Sequence, residues 1–409
     1  MEKRRVVITG MGAVTPIGKT AEESWAAAKA GVCGIDSIRQ YDTSKMKVKL
    51  AGEVKDFQAE DYLERREARR MDRFTQFAMA AAAEALEQSG LDLEREDAAR
   101  CGVAVSSGIG GMNTIQNECL KGAEKGFDRI SPFFIPMIIP NIAAGQIAIK
   151  YGLQGMCTCP VAACAGGSNA VGHIRDGYAE VMVCGGAEST IAEMGLGGFT
   201  SLHAVTTVSD PARASIPFDA ERSGFVMGEG AGILVLEEHG HAKARGAKIL
   251  GEIVGYGVNC DAHHITAPCP DGAGAAACMR LALQDAGIAP EEVDYINAHG
   301  TSTPLNDSGE TQAVKSAFGA HAYKLMMSST KSMTGHLLGA SGAVASIFSV
   351  LALRDQFAPP TIHYQVPDPA CDLDIVPNEG RPAAIRHAMV NAFGFGGHNA
   401  SLIFKRLEE

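Results

Sequence analysis

The sequence predicts an α/β protein made of two related halves. Short β-branched runs alternate with Ala-rich stretches along the whole chain, the pattern of strands buried between helices. Near residue 250 the alternation begins again, which divides the chain into 1–250 and 251–409. Each half also holds a run of small residues where a strand turns sharply into a Gly/Ala-rich helix. These runs are Ala162-Ala163-Cys164-Ala165-Gly166-Gly167 and Met333-Thr334-Gly335-His336-Leu337-Leu338-Gly339.

In the first half, short apolar runs predict strands at 6–9, 102–105, 181–184 and 232–236, and Ala-rich stretches predict helices over 72–89 and 165–176. The second half repeats the scheme with strands at 249–254, 293–296, 324–327 and 400–404. Its helix over 273–286 stops before Gly287, because glycine adopts the left-handed conformation that closes a helix without steric cost.

A chain of 409 residues with 46% apolar and 20% charged residues buries a core without cross-links, which excludes a disordered chain. No apolar run is read as reaching the ~18 residues that span a bilayer. The apolar part of the N-terminus is too short for a secretory signal, so the expected compartment is the cytoplasm, with no membrane partner. Eleven cysteines without framework spacing are read as reduced thiols. A net charge of −11 offers no positive field, which argues against nucleic acid. His239-Gly240-His241, His263-His264 and Cys157-Thr158-Cys159 lack a third ligand at suitable spacing, so no metal is expected.

Cys164 stands at the tip of a predicted helix, where the positive end of the helix dipole favours a thiolate and small neighbours leave room for substrate. A single cysteine is more often a small buried hydrophobe, so its company decides. His299 opens His299-Gly300-Thr301-Ser302-Thr303-Pro304 after an apolar strand, and strand ends are where α/β enzymes bind substrate. In Ser328-Ser329-Thr330-Lys331-Ser332-Met333-Thr334-Gly335-His336, Lys331 precedes by five residues a histidine read as opening a helix. Cysteine and two histidines together are far more specific than any one of them.

With these residues, with Gly10-Met11-Gly12-Ala13-Val14-Thr15-Pro16 near the start and with Asn391-Ala392-Phe393-Gly394-Phe395-Gly396-Gly397 near the end, the chain resembles the 3-oxoacyl-[acyl-carrier-protein] synthases of the thiolase-like superfamily. The likeness covers essentially the whole chain and is greatest to the type II condensing enzymes of bacterial fatty acid synthesis. It implies a duplicated thiolase-like fold, five-layered α-β-α-β-α with two mixed sheets. The opening glycines lack the spacing of a dinucleotide loop, which excludes a nicotinamide cofactor.

The resemblance also implies a decarboxylative condensation. Cys164 takes an acyl group from a carrier thioester, and malonyl-carrier then loses carbon dioxide to give an enolate. Neutral His299 and His336 donate to the enolate oxygen, and its carbon attacks the acyl group. Lys331 supports the network, with Glu310 as the buried acid beside it; Asp307 is either a second support or a solvated loop residue. The oxyanion hole would be the backbone N–H groups of Cys164 and Phe395. Thr301 and Thr303 would bind the phosphopantetheine arm of the carrier, with no cofactor beyond it.

Ile109, Phe133, Phe134, Gly198, Phe199, Phe393 and Phe395 would line the acyl pocket. Arg65, Arg66, Arg69 and Arg70 would dock an acidic acyl carrier protein, with Arg73 read as continuing the same helical face. A homodimer is implied as well. The chain departs from the family at Ala163 and His398, where threonine is usual, and at His203, where arginine is common. The rival readings are a polyketide ketosynthase of a type II system, a thiolase, which would use a second cysteine in place of the second histidine, and a non-catalytic chain-length partner subunit, which would lack Cys164.

Overall fold

This computed structural model describes residues 3–161 and 169–407. Strand β1, Val6–Val14, runs five residues past its β-branched start and is buried throughout. What crosses above it explains the two glycines in that extension. Helix α1, Arg73–Ser89, lies so close that a Cβ at Gly10 would overlap the Ala85 carbonyl, and one at Gly12 the Ala81 carbonyl. Asp72 caps α1 by accepting from the Phe74 N–H, and Gly90, with φ of 60°, ends it.

The first half is completed by β2 (Cys101–Ser106), β3 (Cys157–Thr158), β4 (Val181–Glu188) and β5 (Gly230–Glu238). The second holds β6 (Gly251–Cys260), β7 (Val293–Asn297), β8 (Met326–Ser328), β9 (His387–Gly394) and β10 (His398–Lys405). The strand order is β8-β7-β9-β10-β6-β1-β5-β4-β2-β3. Divided between β6 and β1, the two sets of five have the same order. In each, the first strand is antiparallel to the fifth, the fifth to the fourth, and the fourth and third are parallel to the second. The two mixed sheets are continuous at one edge, where Val6, Val7 and Ile8 of β1 pair with Ile253, Glu252 and Gly251.

Helix α1 and the helix Ile142–Tyr151 cover the outer face of the first sheet; Ala273–Ala286 and Pro304–Phe318 cover that of the second. Between the sheets lies Ser341–Asp355, which packs on strands of both halves, together with Asn169–Arg175. This is the five-layered arrangement. Leu338–Asp355 corrects one sequence expectation, because its 18 residues are long and apolar enough to cross a bilayer by composition. Its apolar surface is used in the central layer, with 83% of the stretch buried.

The strand expected at 324–327 begins only at Met326, because a tight turn at Gly319–Tyr323 delays it. Within this ten-strand order, two strands had no sequence signal. β3 has two residues, too short for any period, and β9 mixes Asn391 and Gly394 into its apolar run.

Candidate active site

The chain leaves β7 at Asn297 and reaches His299 two residues later, in a loop held from below by two carboxylates of the helix Pro304–Phe318. Glu310 accepts the backbone N–H groups of His299 at 2.9 Å and Gly300 at 2.8 Å, and the Asn391 side chain at 3.2 Å. One turn earlier, Asp307 accepts from the Phe218 N–H at 2.9 Å and the Ser302 N–H at 3.1 Å. Asp307 is fully buried, so the solvated-loop alternative falls. Burial pushes the Glu310 carboxyl up to about 7 against the donors that favour its charged form. The loop is tight: Gly300 has φ of 36° and Ser302 of 67°.

Lys331 begins the four-residue helix Lys331–Thr334 and is buried, its carbonyl accepting from the Ser215 hydroxyl at 2.8 Å. His336 does not open a helix. Gly335, with φ of 70°, turns the chain out, and His336 then bridges the segment at Met227, its N–H donating to Val226 and its carbonyl accepting from Gly228. The long helix starts at Ser341, whose Oγ lies 2.8 Å from His336 Nδ1.

The two imidazoles face each other edge to face, with ring centroids 5.4 Å apart and planes at 86°. Both are buried, and His299 Nδ1 has no hydrogen-bond partner among the described residues. Burial pushes both well below the ordinary imidazole range, the Lys331 charge adds to this, and at His299 so does His336. Both rings are therefore neutral at physiological pH and able to present an N–H.

Aromatic side chains close a collar around this pair. Phe225 packs on His336 at 5.3 Å and on Phe199 at 5.5 Å; Phe199 reaches Phe395 at 6.3 Å, and Phe393 packs on His299 at 5.7 Å. Phe225 and Ser341 escaped the sequence reading. Neither belongs to the segments that suggested chemistry, and only the flanking Gly224 sets Phe225 apart.

The collar opens on a cavity of about 670 Å³ lined by both histidines, Glu310, Thr301, Thr303, Ile109, Phe199, Phe393 and Phe395. The Thr301 and Thr303 hydroxyls lie 3.0 Å apart. His203 and His398 also line it and are exposed. Phe133, Phe134 and Gly198 are not among the lining residues. Phe133 is exposed beneath the Arg70 guanidinium at 4.5 Å, Phe134 begins the short helix Phe134–Ile138, and a Cβ at Gly198 would meet nothing within 4 Å. Cys164 and Ala163 lie outside the described residues, as does the start of the helix expected at 165–176.

Arg65, Arg66, Arg69 and Arg70 are all exposed. The expected continuous helical face is broken, because the helix Arg65–Ala68 ends before Arg73 and α1 starts afresh. Arg73 turns inward to pair with buried Glu229 at 2.9 Å and to donate to the Val54 carbonyl. No cluster of three or more His, Cys, Asp or Glu suited to a metal occurs among the described residues. His241 sits between Glu237 and Glu96, 2.8 Å from each, and their hydrogen bonds raise it to about 9.

Residues 3–242 match the family described as "Beta-ketoacyl synthase, N-terminal domain", and residues 250–365 match "Beta-ketoacyl synthase, C-terminal domain". The protein named 3-oxoacyl-[acyl-carrier-protein] synthase 2 in Staphylococcus aureus strain COL is 51% identical over 411 residues, covering 100% of this chain and 99% of that one. Its namesake in a Synechocystis species is 50% identical over 413 residues, with the same coverage. Among solved structures, a beta-ketoacyl synthase from Burkholderia phymatum superposes with a TM-score of 0.89 at 36% identity, over 99% of this chain and 100% of that one. A chain from a structure of a type II PKS acyl-carrier protein in complex with its ketosynthase gives 0.91 at 35%, covering 100% of both. The chain belongs to the beta-ketoacyl synthase family.

Proposed function

We propose that this protein catalyses the decarboxylative condensation of an acyl thioester with malonyl-acyl-carrier-protein, the elongation step of type II fatty acid synthesis. The observation that carries the reading is the pair of buried, neutral imidazoles facing each other over one cavity. The Cys164 thiolate attacks the first thioester, and the carrier departs as its thiol. Malonyl-carrier then enters, with its arm along Thr301 and Thr303. Its carboxylate leaves as carbon dioxide, and the electron pair flows into the thioester carbonyl.

Two N–H donors are what the enolate oxygen requires at that moment. If the Ser341 hydroxyl donates to His336 Nδ1, the ring proton stands on Nε2, and the neutral ring donates without having to lose charge. The enolate carbon attacks the acyl carbon, and the backbone N–H groups of Cys164 and Phe395 receive the oxyanion. The carbon–sulfur bond then breaks. The thiolate takes up a proton, and 3-oxoacyl-carrier leaves. Lys331 supports this network electrostatically, since its charge adds to the burial that keeps both rings neutral.

The acyl carrier protein is the proposed partner, docking on Arg65, Arg66, Arg69 and Arg70. A cytoplasmic homodimer is proposed as well. In support, β3 is a terminal strand of the sheet, and Phe127, Ile135 and Ile149 are exposed along the chain segment leading to it. Identity of 51% over full length to proteins named synthase 2 favours fatty acid elongation over polyketide synthesis, whose solved relative stands at 35%. The test is a reaction of purified protein with acyl-carrier and malonyl-carrier, followed by mass spectrometry. One 3-oxoacyl-carrier per carbon dioxide is expected, and acyl transfer without chain extension would overturn the reading.

A further inference from the structure

At the end of β4, Glu188 is fully buried, and five donors converge on it. Oε2 accepts the Gly108 N–H at 2.7 Å and the Gly339 N–H at 3.1 Å. Oε1 accepts the Ile109 N–H at 3.3 Å and the hydroxyls of Ser107 and Thr190 at 3.2 Å each. A single carboxylate oxygen thus ties a loop of the first half, Ser107 to Ile109, to the loop of the second half that follows His336. Ile109 and Leu338, one on each loop, both line the cavity.

The two loops meet at backbone distance. A Cβ at Gly339 would stand 2.6 Å from the Gly108 nitrogen, and one at Gly108 would stand 2.9 Å from Glu188 Oε2. A side chain at Gly339 would hold the loops apart and one at Gly108 would push the carboxylate away, so in either case Glu188 could no longer span them. All five partners are donors, and an ionised carboxylate is the side chain that only accepts. An amide in its place would set an NH₂ group against buried N–H groups.

We propose that Glu188 is a positioning residue for acyl-chain selection: it clamps the Ile109 wall of the cavity against the Leu338–Gly339 loop and so sets the length of chain the cavity admits. The inference rests on the functional reading above, and on Ile109 facing the acyl chain. It follows that Glu188 acts on which donor is accepted, whereas a buried carboxylate of purely structural value would affect every donor alike.

The experiment measures kcat/KM for a series of acyl-carrier donors of increasing length, comparing the native protein with Glu188→Gln. The ratio between long and short donors is expected to change by about tenfold, the scale on which one methylene at a pocket wall discriminates. A uniform loss across all donors, or an unchanged ratio, overturns the inference. Should Glu188→Gln not fold, Ser107→Ala serves instead. It removes one donor to Oε1 and the acceptor of the Gly110 N–H, leaving the carboxylate in place. The same change of ratio is expected, and an unchanged ratio again overturns the inference. Ile109→Phe is run beside them. If that variant keeps the native preference, the acyl-pocket reading fails and this inference with it; if native protein makes no condensation product, the functional reading itself has failed.

Discussion

Two imidazoles whose ring centres lie 5.4 Å apart would repel if both were protonated, and burial beside Lys331 keeps both neutral. That has a consequence for stability. In the unfolded chain each histidine takes up a proton below about pH 6.5, whereas the folded protein refuses it until far lower pH. Stability is therefore complete above that range and falls as pH drops below it. For each ring the slope reaches about 1.4 kcal/mol per pH unit. Between pH 7 and pH 5 the Glu310 carboxyl, raised to about 7, works in the opposite sense, so the test is differential: as pH falls over this range the denaturant midpoint of native protein should drop relative to that of a His299→Phe variant, and parallel curves would contradict it. For the chemistry, His336→Ala should lose about 10²–10³-fold in malonyl decarboxylation, as when an oxyanion donor is removed, while Cys164 still accepts acyl groups. Carbon dioxide release at the native rate would remove His336 from the mechanism.

At the scale of elements, the approach of β1 to α1 fixes residue choice more strictly than any propensity does. A Gly12→Ala variant places a Cβ against the Ala81 carbonyl, where neither main chain can yield without moving its whole element. The expected cost is about 3 kcal/mol, read as a fall in thermal midpoint; an unshifted midpoint would mean that the helix does not ride on the strand. In the sequence Gly10 and Gly12 were legible only as part of a motif, because the atoms that forbid a side chain belong to residues some seventy positions away. The helices Arg73–Ser89 and Ala273–Ala286 were legible to within a residue, since Ala-rich stretches are local signals and Gly287 marks the end of the second. The sequence singles out His336 but not its geometry. Its bridge to Met227 depends on a segment more than a hundred residues earlier, and no local pattern reports it. Arg73 likewise reads as one more surface arginine until Glu229 is brought beneath it.

Over the whole molecule, the repeated strand order brings the loop after β7 and the loop before the central helix to one cavity. Alternation that restarts near residue 250 is a feature of the sequence, but the core that both sheets share is not legible there, since it depends on Ser341–Asp355 serving both sheets at once. The proposed carrier recognition belongs to this scale, since an exposed arginine cluster on a chain of net charge −11 would act through its local field. Reversing charge at Arg66 and Arg69 should raise the KM for carrier substrates about tenfold at low salt and flatten its salt dependence, leaving kcat near native. An unchanged KM would place docking elsewhere. The central claim, that a carbon chain is held on one sulfur while a second is decarboxylated beside it, is tested most directly by intact-mass spectrometry. Native protein mixed with acyl-carrier should gain the acyl mass and lose it when malonyl-carrier is added, and Cys164→Ser should gain nothing. An equal gain on Cys164→Ser, or an acyl mass that malonyl-carrier does not discharge, would contradict the account.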